Sequence, residues 1–241
     1  DATDPASFER AITPKTRAIF CESIANPGGV VVDLPAIAAV ARKAGVPLIV
    51  DNTLATPYLC RPKEHGADII VHSLTKFMGG HGNSLGGVIV DCGSYDWLDA
   101  RPRYTTMVDP NPSYNGMRLA ETFGNFAFAI ACRVMGMRDI GPAISPFNAF
   151  MLLTGIETLP LRMRAHCDNA LAVAQFLEAH PRVAWVNYAG LPSNRYNAIA
   201  KRICPAGAGA VFTFGLKGGY EDGIAFVKRL KLFSHLANIG D

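Results

Sequence analysis

Through the first 91 positions, apolar residues gather in short unbroken runs, each closed by polar residues. TRAIFCES, 16–23, reads as a strand. IANPGG follows as a turn, marked by Asn-Pro and Gly-Gly. In DLPAIAAVARKAG, Asp33 can cap a helix, Pro35 suits its first turn, and Ile37, Val40, Ala41 and Ala44 share one face; Gly45 is its natural stop. VPLIVDNT is a strand over 46–50 with Asp51 at its carboxyl end. PKEHG reads as a short helix, ADIIVHS as a strand, and GGVIVD, 86–91, as another. Strands alternate with helices and lack polar alternation. That pattern predicts an α/β fold with a mostly parallel sheet covered on both faces. Ligands of such sheets lie beyond the carboxyl ends of the strands. Ser23, Asp51 and Ser73 each follow a strand at that edge and are expected to face one crevice.

Between 95 and 116 the pattern breaks down around Pro102, Pro110 and Pro112, which predicts a surface excursion or lid. TFGNFAFAIACRVMGMRDIG resumes as an apolar helix. A long helical segment follows over 145–181, capped by Ser145 with Pro146 just inside, and interrupted or bent near Pro160. VAWVNYAG and GAGAVFTFGLKG are expected to be strands of a second unit, accompanied by the amphipathic helix YEDGIAFVKRLKLFSHL. The boundary is expected near residue 155, with 1–155 in a larger unit and 156–241 in a smaller α/β unit.

Composition narrows the function classes. The 241 residues are 49% apolar and 18% charged, enough for a core and too little charge for disorder. A net charge of +3 without a basic block argues against nucleic acid. The longest charge-free stretch, between Asp139 and Glu157, is broken by glycine and proline, so no membrane helix is expected. Six cysteines show neither C-x-x-C pairing nor zinc spacing with histidine; no metal site is expected, and reduced thiols in a cytoplasmic protein are.

The chemistry centres on HSLTKFMGGHGNSLGG. A phosphate-binding loop of the nucleotide type has its glycines first and its lysine last; here Lys76 comes first. An exposed loop lysine remains one reading. The other is an amine that forms a Schiff base with an aldehyde cofactor. Pyridoxal 5'-phosphate needs such an amine, donors for its phosphate and an acid to keep its ring nitrogen protonated. Ser73 and Thr75 stand three and one positions before Lys76, and Asp51 ends the neighbouring strand 25 residues earlier. His72 is expected to face away from the cofactor and His81 to support the glycine loop; neither is assigned a catalytic role.

ESIANP, VDNTLATP and GADIIVHSLTKFMGGHGNSLGGVIVD closely resemble the Cys/Met-metabolism pyridoxal-phosphate enzymes, a family that includes cystathionine γ-synthase, methionine γ-lyase and O-acetylhomoserine sulfhydrylase. The later segments look like the O-acetylhomoserine sulfhydrylase branch. The resemblance implies a type I aminotransferase-like fold. It implies that Lys76 is the Schiff-base lysine, that Asp51 holds the ring nitrogen, that Ser73 with Thr75 holds the phosphate, and that Asn26 bonds the ring hydroxyl oxygen. Asn238, in SHLANIGD, matches the segment for the substrate carboxylate. The implied reaction is γ-replacement, O-acetyl-L-homoserine with sulfide giving L-homocysteine and acetate, in a homotetramer of dimers that share active sites. Methionine γ-lyase or cystathionine γ-synthase activity, and a non-catalytic fragment that keeps the fold, are the alternatives. Family members carry a further amino-terminal stretch with phosphate contacts and, beyond the equivalent of Asp241, an arginine for the substrate carboxylate. The chain is therefore expected to be a fragment truncated at both ends and inactive alone.

Overall fold

The computed structural model describes residues 1–99 and 103–240. Four strands form one sheet in the order β1 (Ile19–Glu22), β2 (Leu48–Asp51), β3 (Ile69–Ser73) and β4 (Gly87–Asp91). β1, β2 and β3 run parallel, and β4 returns antiparallel along β3. A helix at Leu34–Ala44 connects β1 to β2, as a parallel pair requires. Asp33 caps it by accepting from the Ala36 N–H at 3.2 Å, and Gly45 ends it in the left-handed region at φ 62°. Its inward face is Leu34, Ile37, Ala38 and Ala41, all buried.

The pleat sends alternate residues of the sheet into two different cores. Leu48, Val50 and Ile70 pack on one face with the Leu34–Ala44 helix and with Leu159, Met163 and Cys167 of a long helix at Leu159–Ala179. Ile49, Ile69 and Val71 pack on the other, against Trp97, Met107, Leu119 and Ala127. Coverage on both faces therefore holds for β2 and β3. It fails at the edges, where Phe20 is 59% and Ile89 54% exposed.

The stretch expected as a surface excursion or lid is anchored on this second core by a few side chains. Trp97, Met107 and Val108 are buried, a short helix spans Thr105–Val108, and Trp97 stacks on Phe128 at 5.5 Å. After Val108 the chain runs at the surface, and Pro110 and Pro112 are exposed. Pro102 lies outside the described residues, as does Asp241.

The segment after Gly141 is two helices, Pro146–Glu157 and Leu159–Ala179, broken at Thr158. Ser145 caps the first by accepting from the Asn148 N–H at 3.1 Å. The helix break falls beside Pro160, as expected, because Pro suits a first turn and not an interior. β5 (Val183–Asn187) and β6 (Thr213–Leu216) form an antiparallel pair, and the Tyr220–Arg229 helix follows.

Candidate active site

β1, β2 and β3 end side by side, and their pleat sorts the polar residues there into two sets. In register, Glu22 lies beside Asp51, and Asp51 beside Val71, two positions before Ser73. Glu22, Asp51 and Ser73 therefore share one face of the sheet. All three line a cleft of about 460 Å³, together with Asn26, Thr53, Lys76 and Asn238. Ser23, Asn52 and His72 belong to the opposite face and are buried. Ser23 Oγ donates to Asn52 Oδ1 at 2.7 Å, and Asn52 Nδ2 donates to the Cys60 carbonyl at 2.9 Å. The expectation that Ser23 would face the crevice is thus corrected. Ser23 continues the buried alternation of Ile19 and Cys21, and Glu22 takes the outward position.

Lys76 lies in the Leu74–Met78 turn directly after β3, partly buried. Its Nζ donates to Asn238 Oδ1 at 2.6 Å, so two residues far apart in sequence meet in the cleft. Asp51 Oδ1 accepts from the Thr53 N–H at 2.9 Å, which fixes the carboxylate against its own turn. Thr53 Oγ1 in turn accepts from the Ser73 N–H at 2.8 Å and ties the ends of β2 and β3 together. The Asn26 N–H donates to Glu22 Oε2 at 2.8 Å.

Thr75 stands apart from this set. Its hydroxyl lies between the N–H and the carbonyl of Gly86, at 3.2 and 3.4 Å. It lines an adjoining cavity with Asn83, Ser84 and Asn148, which Asn238 also borders. The two histidines lie where the sequence reading puts them. His72 is buried behind the sheet, Nδ1 has no hydrogen-bond partner, and burial lowers its pKa while the Asp51 charge works against that shift. His81 Nδ1 is 2.7 Å from the Gly79 carbonyl and braces the glycine loop.

Close approach explains the glycines around Lys76. A Cβ on Gly79 would lie 2.6 Å from the Leu74 carbonyl oxygen, and one on Gly155 only 2.0 Å from the Gly79 carbonyl oxygen. Sequence reasoning passed over Gly155, Glu22 and Thr53 as site residues. Glu22 sits within a quoted motif, but neither alternation nor spacing gave it a task. Among the described residues no cluster of His, Cys, Asp or Glu could hold a metal ion, and no helix is long and apolar enough to cross a membrane. All six cysteines are free. Burial pushes Cys21 up to about 12 and raises Cys92, Cys132 and Cys167, so none of these is a ready nucleophile.

The chemistry of the cleft is one primary amine facing an amide, a carboxylate, and hydroxyl and amide donors. Three comparisons bear on it. The family model described as "Cys/Met metabolism PLP-dependent enzyme" matches residues 1–241. An O-acetyl-L-homoserine sulfhydrylase of Leptospira meyeri is 49% identical over 250 residues, covering 100% of this chain and 56% of that protein. A homocysteine synthase of Schizosaccharomyces pombe is 50% identical over 239 residues, covering 99% of this chain and 56% of that one. The chain spans about half the length of these relatives. A crystal structure of an O-acetylhomoserine (thiol)-lyase from Campylobacter jejuni, which carries N'-pyridoxyl-lysine-5'-monophosphate, superposes with a TM-score of 0.92. It is 37% identical, over 99% of this chain and 59% of that one.

Proposed function

Because the chain belongs to the Cys/Met metabolism PLP-dependent enzymes, we propose that the protein carrying it replaces the acetoxy group on Cγ of O-acetyl-L-homoserine with sulfide, giving L-homocysteine and acetate. The names of the relatives support the substrate, and the cleft supports the chemistry. The observation that carries the reading is the meeting of Lys76, Asp51, Ser73 and Asn238 in one cleft at the carboxyl edge of the parallel strands.

The side chains fit pyridoxal phosphate. Lys76 provides the amine for its aldehyde, and Asp51 the carboxylate for its ring nitrogen. Ser73 provides a hydroxyl for its phosphate, and Asn26 an amide for its ring hydroxyl, while Thr75, turned onto Gly86, steadies the adjoining loop. When bound, the cofactor supplies the electron sink that stabilises carbanions at the substrate's α and β carbons. The protein's own part is positional and acid–base. Asp51, held by the Thr53 N–H, keeps a negative charge where it favours a protonated ring nitrogen. The Lys76 amine removes and returns protons at Cα and Cβ. Its present bond to Asn238 suggests how substrate is received: as the amine leaves, the Asn238 amide becomes available to the substrate carboxylate. Acetate leaves from Cγ, and sulfide takes its place.

Residues 1–155 then form part of the cofactor-binding domain and 156–241 part of the smaller one, a division supported by the separate β5–β6 sheet. Six free thiols support a cytoplasmic location. Exposed Phe147, Phe150 and Leu153 on the Pro146–Glu157 helix support an assembly of copies, a homotetramer in this reading. The test is a comparative assay of the complete gene product. Acetylhomoserine with sulfide should be turned over faster than methionine alone or acetylhomoserine with cysteine. Dominant methionine breakdown would overturn the assignment in favour of a γ-lyase.

A further inference from the structure

We propose that Arg162 is a positioning residue that holds the turn bearing Lys76 in its working geometry, an assignment that rests on the function proposed above. The Leu74–Met78 turn is not a regular helix: Lys76 itself sits at φ −89°, ψ −137°. The carbonyls that follow it leave any helical ladder and need donors from elsewhere. Arg162 supplies them. Nη1 donates to the Phe77 carbonyl at 2.6 Å, and Nη2 to the Met78 carbonyl at 3.3 Å. Nη2 also donates to the Gly155 carbonyl at 2.6 Å, and Nε to Thr158 Oγ1 at 3.0 Å. A guanidinium has five N–H groups in a fixed plane, and this arrangement employs four of them. Two of the acceptors belong to the two residues directly after Lys76. The other two lie at the break between the helices Pro146–Glu157 and Leu159–Ala179.

The cost of the arrangement argues that its geometry matters. Burial lowers the pKa of Arg162, and no carboxylate pairs with it among the described residues. A part-buried cation facing three neutral carbonyls and a hydroxyl, with no anion, is a costly way to join two segments. Space is kept for it by Gly80, whose Cβ would lie 2.2 Å from Nη1. Lysine cannot substitute, since its three donors radiate from one point and match no planar fork. With the fork gone, the carbonyls after Lys76 seek other donors and the amine shifts relative to Asp51 and Asn238. Misplacement by about 1 Å at a reacting group costs about 100-fold in rate.

The experiment uses the complete gene product with Arg162→Lys, Arg162→Gln and Gly80→Ala, the last keeping the arginine but filling its place. The apo forms are mixed with pyridoxal phosphate and quenched with borohydride, and the pyridoxyl adduct on Lys76 is followed by mass spectrometry. The expected result is folded variants, by circular dichroism, whose adduct on Lys76 forms about 100-fold more slowly. In steady state, kcat should fall by a similar factor while KM for the amino acid changes far less. Should Arg162→Gln fail to fold, Arg162→Lys decides. Unchanged adduct rate and kcat in a folded Arg162→Lys protein would overturn the assignment and leave the cofactor reading intact. Absence of any adduct in the unsubstituted protein would overturn the cofactor reading and this role with it.

Discussion

Lys76 meets Asn238 across a separation of 162 positions, and every residue-scale expectation for the site turns on that amine. Removing it in Lys76→Ala should abolish the yellow absorbance band that the complete gene product shows with pyridoxal phosphate, while circular dichroism stays unchanged; a band that persists would place the covalent link elsewhere. A second expectation concerns pH. Burial lowers the pKa of His72 below its ordinary value near 6.5, and burial with the Arg162 charge does the same for His166. Both rings stay neutral in the fold where the unfolded chain already binds protons. Their contribution to stability is therefore present above about pH 6.5 and is lost as pH falls below it. The thermal midpoint should drop on acidification, and His72→Gln should flatten that slope. Sequence named Lys76, Asp51, Ser73, Asn26 and Asn238, all of which line one cleft. It placed Ser23 on the wrong face because an unbroken apolar run does not reveal which of its alternate positions point inward.

Secondary structure elements carry the site through their ends. Strand ends deliver Asp51 and Ser73, the turn after β3 delivers Lys76, and the break between two long helices braces that turn. The brace depends on how closely the Pro146–Glu157 helix approaches the glycine loop. Gly155→Ala would put a methyl 2.0 Å from the Gly79 carbonyl oxygen. Overpacking of this kind should cost about 1–3 kcal/mol, read as a lower midpoint in urea unfolding. The cap on the Leu34–Ala44 helix offers a contrast. Asp33 accepts from the Ala36 N–H and pairs at 2.6 Å with Arg202, an exposed contact. Asp33→Ala should lose about 1 kcal/mol through the cap, whereas Arg202→Ala should change stability by less than about 0.5 kcal/mol. Equal losses would show that the ion pair and not the cap matters. The helix and its cap were legible in the sequence because a cap is local: donor and acceptor lie three positions apart.

At the scale of the whole molecule, the exposed apolar side chains set an expectation about association. Phe147, Phe150 and Leu153 are each more than 60% exposed on one helix, with Ile144 just before it. Sedimentation of the complete gene product should show an oligomer, and Phe150→Glu with Leu153→Glu should shift it toward smaller species; an unchanged distribution would exclude this face as the contact. The alternation of apolar runs and amphipathic helices determined the α/β architecture, the order of the elements and the edge of the sheet where chemistry would gather, because burial along a strand or helix follows a short period along the chain. The composition of one loop determined the amine and its neighbouring hydroxyls. Tertiary structure alone decided that Trp97, Met107 and Val108 anchor a surface segment in a second core, that Thr75 turns onto Gly86 instead of into the cleft, and that Arg162 joins the lysine turn to a helix break. Those are contacts between segments distant in sequence, and no periodicity within a segment encodes which distant partner will fill the space beside it.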